Sequence, residues 1–182
     1  HERQAYRYFV GNGIPKLVER LAPADQRTPA VLEAALADFK RDYGQHLRDT
    51  TAPYPGIPEM LAKLKANGVQ LAVFSNKADA LAKEVVKDYF GTQYFTIVRG
   101  QMTGVAPKPA AEGTNALMQA LHADPASTLY VGDSNVDVET AHNANLPCCG
   151  AVWGFRTREE LNAAGAEYLA ENSDELYDVI MK

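Results

Sequence analysis

Apolar positions in residues 1 to about 52 recur at helical spacing, and no continuous or alternating apolar run interrupts them. The stretches HERQAYRYFV, IPKLVERLA (after Gly11-Asn12-Gly13) and PAVLEAALADFKRDYGQHL predict three helices, with Pro29 suited to a first helical turn. TTAPYPGIPEM, with three prolines and a glycine, then reads as a linker. From Ile57 the rhythm alternates. Strands are predicted at VQLAVFS, YFTIVRG, TLYVGD and CCGAVWG, with a short one at Tyr168-Leu169. Between and around them lie the helices IPEMLAKLKANG (closed by Gly68), KADALAKEVVKDYF, PAAEGTNALMQALH, VDVETAHNAN, REELNAAG and SDELYDVIMK. Short apolar strands separated by helices imply right-handed crossovers and a parallel sheet covered on both faces. The pattern predicts an α/β, doubly wound core over 53–182 with a helical module over 1–52.

In such sheets ligands sit at the carboxyl ends of the strands. That rule gathers Ser75, Asn76 and Lys77; Arg99 and Gly100; Gly132, Asp133 and Ser134; and Trp153 and Gly154 on one rim. LYVGDSNVDVETA is unusual among these segments. A strand ending in a turn, with Asp133 or Ser134 capping the next helix, explains one acid beside Gly132. It does not explain Asp137, one helical turn later and able to face the same side. Neither G-x-G-x-x-G after a strand nor a P-loop lysine motif is present, and Gly11-Asn12-Gly13 follows no strand, so a tight turn is its expected role.

Composition narrows the classes. The chain has 182 residues, 46% hydrophobic and 23% charged, enough for one sizeable core. A net charge of −5 and a pI near 5.4 argue against nucleic-acid or anionic-membrane partners. No apolar run reaches the length of a membrane span and no signal peptide is evident. Cys148 and Cys149 are adjacent in an apolar stretch, which cannot staple distant segments and implies a reduced, cytoplasmic setting. The four histidines show no ligand spacing; His46 and His122 are expected to cap helix ends or face solvent. Trp153 is expected to pack near the rim, and Lys77 and Glu139 to point to solvent.

LAVFSNK, the lysine of GVAPKPAAEG, and LYVGDSNVDVETAHNANLPCCGAVWGF together resemble the second, third and fourth motifs of the haloacid dehalogenase superfamily. The similarity is to its phosphoglycolate phosphatase-like branch and runs from about Pro55 to Phe155. YFVGNGIPKLVERLA resembles part of that branch's helical cap. The resemblance implies a Rossmann-like core with an α-helical cap, acting as a hydrolase of a small phosphorylated metabolite. It implies that Ser75 and Asn76 bind the phosphoryl group and that Lys108 neutralises it. Taken alone, Ser75 reads as a helix N-cap and Lys108 as a solvated surface charge. The flanking Pro107 and Pro109 would stiffen the backbone that aims Lys108, and its rim position predicts near-native folding when the charge is removed. Asp133 would bind Mg²⁺, a hard cation satisfied by one or two carboxylates plus water and phosphate. Asp137 would hold a metal-bound water or Lys108.

One part of the pattern is missing. The family's first motif, D-x-D-x-[TSV], carries the nucleophile and the general acid/base, and none of the aspartates from Asp25 to Asp178 stands in it. In the family's strand order the absent strand lies between VQLAVFS and TLYVGD, which predicts a slot of about 10 Å between unpaired edges. The chain opens on His1 inside a helix-like run, so the nucleophile is expected upstream of residue 1 and the 182 residues alone are expected to be inactive. The alternatives are a phosphate- or partner-binding remnant without a nucleophile and, among enzymes, a 2-haloacid dehalogenase, which needs no metal. Substrate and oligomeric state stay open.

Overall fold

The computed structural model describes residue 2 and residues 5–182. The start of the first predicted helix, at His1, Arg3 and Gln4, lies outside the described residues. What is described of it is one turn, α1 (Tyr6–Phe9). Gly13, at φ +84°, turns the chain into α2 (Ile14–Leu21), which carries Pro15 in its first turn. α3 (Pro29–His46) starts where predicted, Thr28 accepting from the Val31 amide at 3.4 Å. No residue of α3 is fully buried, although Phe39 and Tyr43, one turn apart, stack at 5.5 Å between ring centroids.

After the Pro/Gly-rich crossing, α4 (Ile57–Ala66) buries Met60, Leu61 and Leu64, the i, i+4 stripe of an amphipathic helix. β1 (Leu71–Ala78) and β2 (Phe95–Gln101) pair in parallel around α5 (Asp79–Phe90). α6 (Glu112–Leu121) leads to β3 (Tyr130–Gly132), followed by α7 (Asn135–Asn143), β4 (Cys148–Ala151), α8 (Arg158–Ala163), β5 (Tyr168–Ala170) and α9 (Ser173–Ile180). β3, β4 and β5 form a second parallel sheet in that order. The α/β alternation is therefore the one predicted, with all pairings parallel.

Among the described residues the strands form two sheets, and β1 is not hydrogen-bonded to β3. Both nonetheless rest on one apolar cluster. Leu71 of β1 and Leu129, just ahead of β3, pack with Met60, Leu64, Cys149 and Leu176. Burial is uneven across this arrangement. β4 is buried at every position, whereas β1 is mostly half-buried and Val131 of β3 remains 39% exposed. A strand inside a covered parallel sheet should be buried on both faces, so β1 and β3 behave as edges.

β1 also runs three residues past the predicted end at Ser75. The chain keeps an extended course to Ala78, which pairs with Gln101, and α5 begins only at Asp79. Asn76 and Lys77 therefore belong to the strand. The amides that open α5 follow Ala78 instead of Asn76, and Ser75 is not a helix cap. Long-range bonds from the Asn76 side chain to Gly11 and Lys108 accompany the extended course. No helix among the described residues is long and apolar enough to cross a membrane.

Candidate functional site

A cavity of about 450 Å³ lies where the ends of β1 and β3 meet the helices before residue 52. Its lining includes Val10, Gly11, Ile14, Leu17, Phe39, Tyr43, Ser75, Asn76, Lys77, Lys108, Asp133, Ser134, Asp137 and Phe155. All five residues singled out from sequence, Ser75, Asn76, Lys108, Asp133 and Asp137, thus share one chamber.

Asp133 and Asp137 are positioned by one local device. Ser134 caps α7 in a capping box, with Asp137 at the third helical position. Asp137 Oδ2 accepts from the Ser134 hydroxyl at 2.6 Å and from the amides of Ser134 and Asp133 at 3.1 and 3.2 Å. Its other oxygen, Oδ1, lies 2.6 Å from Lys108 Nζ. The second acid is therefore a cap and an ion-pair partner together. Gly132 makes this possible: a Cβ there would lie 2.1 Å from that of Asp137.

Asp133 is held from the opposite side. Its Oδ2 accepts from the Phe155 amide at 3.2 Å, and its carbonyl accepts from the Arg156 amide at 3.1 Å. Gly154 provides the room, because a Cβ there would meet Asp133 Cβ at 2.1 Å and Oδ2 at 2.3 Å. Burial and then the neighbouring Asp137 charge raise the Asp133 carboxyl above its ordinary range, opposed by the Phe155 amide and by Lys108. A carboxylate in excess negative potential, with oxygen as the only donor chemistry beside it, fits a hard divalent cation such as Mg²⁺. Among the described residues no group of three or more His, Cys, Asp or Glu could hold a metal, so the ligand these residues would offer an ion is Asp133. Glu139 is exposed and bonds Asn135, away from this group.

On the β1 side, Ser75 Oγ accepts from the Lys77 amide at 3.1 Å, which leaves its hydroxyl proton to donate. Asn76 differs from its expected role. Its Nδ2 donates to Gly11 O at 2.8 Å and Lys108 O at 3.2 Å, while its Oδ1 accepts from the Lys108 amide at 2.8 Å. The amide thus ties the first glycine turn and the Lys108 backbone to β1. With its side chain bonded to backbone on both ends, Asn76 positions Lys108.

Lys77 corrects a further expectation. Instead of reaching solvent it donates to the Tyr43 hydroxyl, its ammonium 4.5 Å from the centre of that ring. The reason is the helical segment above the rim, which places α3 over β1. Tyr43 and the Phe155 amide are the contributors that sequence reasoning missed, whereas Gly154 was placed on the rim. The aromatic pair Phe39 and Tyr43 at i, i+4 was the available signal for Tyr43. The loop carrying Gly154 is tied to α1 by Arg7, which donates to Gly154 O, and by Arg156, which donates to Arg7 O at 2.7 Å and lies over the Tyr8 ring. Trp153 is half-buried against the core, as expected. His46 pairs with Asp49, and His122 ends α6, both outside the cavity.

The chain is similar to known proteins in sequence and in fold. The haloacid dehalogenase-like hydrolase family matches residues 1–151. The chain is 30% identical over 159 residues to the phosphoglycolate phosphatase of Mesorhizobium japonicum, covering 86% of this chain and 70% of that one. It is 33% identical over 150 residues to the phosphoglycolate phosphatase of Neisseria meningitidis, covering 81% of this chain and 64% of that one. A solved structure from Lactobacillus delbrueckii subsp. bulgaricus, of a protein assigned as a phosphoglycolate phosphatase, superimposes with a TM-score of 0.90 at 26% identity, over 99% of this chain and 83% of that one. The chain belongs to the haloacid dehalogenase-like hydrolase family. Within that family it is a phosphatase-type member, similar to the phosphoglycolate phosphatases.

Proposed function

We propose that this chain forms the phosphate-binding, metal-binding and cap portions of a Mg²⁺-dependent phosphomonoester hydrolase acting on a small phosphorylated metabolite. The observation that carries the reading is the shared chamber in which Lys108, paired to Asp137, stands beside Asp133 and Ser75. Phosphoryl transfer concentrates charge on the transferred group's oxygens, so catalysis is mostly positioning and neutralisation. Lys108 supplies the fixed positive charge and the Ser75 hydroxyl donates a hydrogen bond. A Mg²⁺ ion at Asp133 would supply further neutralisation of the phosphoryl oxygens. Asp137 holds the Lys108 ammonium and, through Ser134, the turn that carries Asp133.

The nucleophile in this reading is an aspartate on a strand seated between β1 and β3, where the two unpaired edges rest on a common apolar cluster. Its carboxylate oxygen attacks phosphorus and the ester oxygen leaves with a proton, forming an aspartyl phosphate. Water then cleaves that intermediate to inorganic phosphate. Ser75 is not the nucleophile, because no general base adjoins it among the described residues. The names of the relatives make phosphoglycolate the first substrate to test.

The test is phosphate release from phosphoglycolate and p-nitrophenyl phosphate with Mg²⁺, by the protein expressed with its upstream coding sequence and by residues 1–182 alone. Activity is expected in the first and none in the second. Turnover by the mass-verified 182-residue chain would overturn the placement of the nucleophile. The absence of D-x-D-x-[TSV] from the 182 residues favours a second reading, a phosphate-binding remnant. An inactive upstream-extended protein that still binds inorganic phosphate would establish it.

A further inference from the structure

We infer that Arg156 is a positioning residue that couples docking of α1 to the orientation of the Asp133 carboxylate, so that Mg²⁺ binding and docking of the helical segment favour one another. The inference rests on the metal assignment at Asp133 in the phosphatase reading and adds to it the part of the chain that completes that site. Arg156 is 8% exposed, yet it forms no ion pair among the described residues. Its guanidinium donates to Arg7 O at 2.7 Å and lies 4.8 Å from the centre of the Tyr8 ring. Burying a cation without a carboxylate is costly, and here its two close partners both belong to α1. The Tyr8 hydroxyl in turn bonds Glu160, which closes the capping box of α8 with Thr157. Arg7 returns the contact by donating to Gly154 O. Two guanidinium groups thus clasp α1 and the loop 154–156 in both directions.

That loop holds Asp133 at both ends. The Phe155 amide donates to Asp133 Oδ2 at 3.2 Å, and the amide of Arg156 itself donates to the Asp133 carbonyl at 3.1 Å. One residue therefore grips α1 with its side chain and Asp133 with its backbone. α1 has little else to hold it: it is four residues long with none buried, which puts its docking at the low end of local stability. Its last carbonyls are tied to α2, since Arg20 donates to Tyr8 O at 3.2 Å and to Phe9 O at 2.9 Å. α1 and α2 are thus expected to move as one body, with Asn76 holding Gly11 between them. The helical segment meets the phosphate side of the chamber through Asn76 and its metal side through Arg156. Releasing the second contact frees the loop, and with it the Phe155 amide that fixes one oxygen of the carboxylate. A cation that prefers the fixed carboxylate then favours the docked segment, and by linkage docking raises the affinity for that cation by the same factor.

The experiment uses the upstream-extended protein, with Mg²⁺ titrated by calorimetry and amide hydrogen exchange followed over residues 5–13. In the native protein Mg²⁺ should slow exchange in that segment. Arg156→Met should weaken Mg²⁺ affinity about 10–100-fold, the scale for residues that orient a metal ligand, and should abolish the Mg²⁺-dependent protection. The sign is diagnostic, because removing a positive charge near a cation site would by charge alone tighten Mg²⁺ binding. Arg7→Met deletes only the bond to Gly154, from an exposed side chain, and should act in the same direction more weakly. It carries the measurement if Arg156→Met proves unfolded by circular dichroism. Unchanged or tighter Mg²⁺ binding by the folded variant would make the clasp a packing contact with no bearing on the metal site. So would Mg²⁺ binding by the native protein that leaves exchange over 5–13 untouched. A native protein that binds no Mg²⁺ is a different result, which removes the metal assignment itself and this inference with it.

Discussion

Lys108 Nζ and Asp137 Oδ1 meet at 2.6 Å with their side chains only 12% and 8% exposed. The pair joins the segment held by Asn76 to the first turn of α7, and so connects the β1 and β3 sides of the cavity. This burial changes what the loss of Lys108 should do. On an open rim, Lys108→Met would leave folding near native. Here it strands a buried carboxylate, and breaking such a pair costs about 3–5 kcal/mol. Three donors remain on Asp137 Oδ2, so the lower end is expected. Urea denaturation of Lys108→Met, Asp137→Asn and the double variant tests this. The double variant should be less destabilised than the sum of the singles, whereas strict additivity would mean that the pair contributes nothing.

Asp133 should be a liability in the absence of metal and an asset in its presence. Burial and the Asp137 charge disfavour its ionised form, so Asp133→Asn is expected to raise Tm in EDTA. Mg²⁺ should raise the Tm of the native protein, since an ion at 100 times its Kd contributes about 2.7 kcal/mol. The variant should not respond. Asp137→Asn should respond with affinity about 10–100-fold weaker, the usual scale for a residue that orients a ligand. An equal Mg²⁺ response in native and Asp133→Asn protein would refute the metal assignment.

Gly154 offers a test of geometry without any change of charge. Its added Cβ would stand 2.1 Å from that of Asp133, a distance closed only by movement of the carboxylate or of the loop. Gly154→Ala should therefore cost about 1–3 kcal/mol as an overpacked site. It should also weaken the Mg²⁺ response measured by Tm. A variant with native stability and native Mg²⁺ response would show that the loop yields freely and that the Phe155 amide does not fix Asp133.

These contacts also explain which features could be read from the chain. The helices and strands of the core were legible because each apolar run is short and bounded by Gly, Pro or Asn. Asp133 and Asp137 were legible by their spacing of one helical turn, although the capping box that engages Asp137 was not read from the sequence. The end of β1 was not, because the bonds that accompany its extended course past Ser75 reach from Asn76 to Gly11 and Lys108, 65 and 32 positions away. Lys77 looked like a solvent residue for the same reason: Tyr43 is 34 positions distant. The pairing of Lys108 with Asp137 spans 29 positions and was anticipated only by resemblance. Side chains that act across such long stretches of sequence leave no local trace in it.

The adjacent cysteines of β4 give the pH prediction. Both are wholly buried and free. Burial, followed by the Asp137 charge, pushes the Cys148 thiol up to about 12, and burial pushes Cys149 up to about 11. The thiolate is the reactive form, so at pH 8 the native protein should resist iodoacetamide while the urea-unfolded chain takes two labels. The effect on stability has a definite sign. A thiol whose pKa is raised by folding contributes fully below the unfolded value, near 9, and that contribution is lost as pH climbs toward the folded value. Between about pH 9 and 12 the unfolded chain releases protons that the native state retains. Stability should then fall by up to about 1.4 kcal/mol per pH unit for each thiol. Other groups titrate in the same range, so the measurement is a comparison of urea unfolding from pH 8 to 10.5 in native and Cys148→Ala/Cys149→Ala protein. The variant is expected to be less stable at pH 8, because two small buried side chains are cut back, yet to lose less stability on going to pH 10.5. Parallel pH profiles for the two proteins would mean that the β4 thiols titrate alike in the folded and unfolded states.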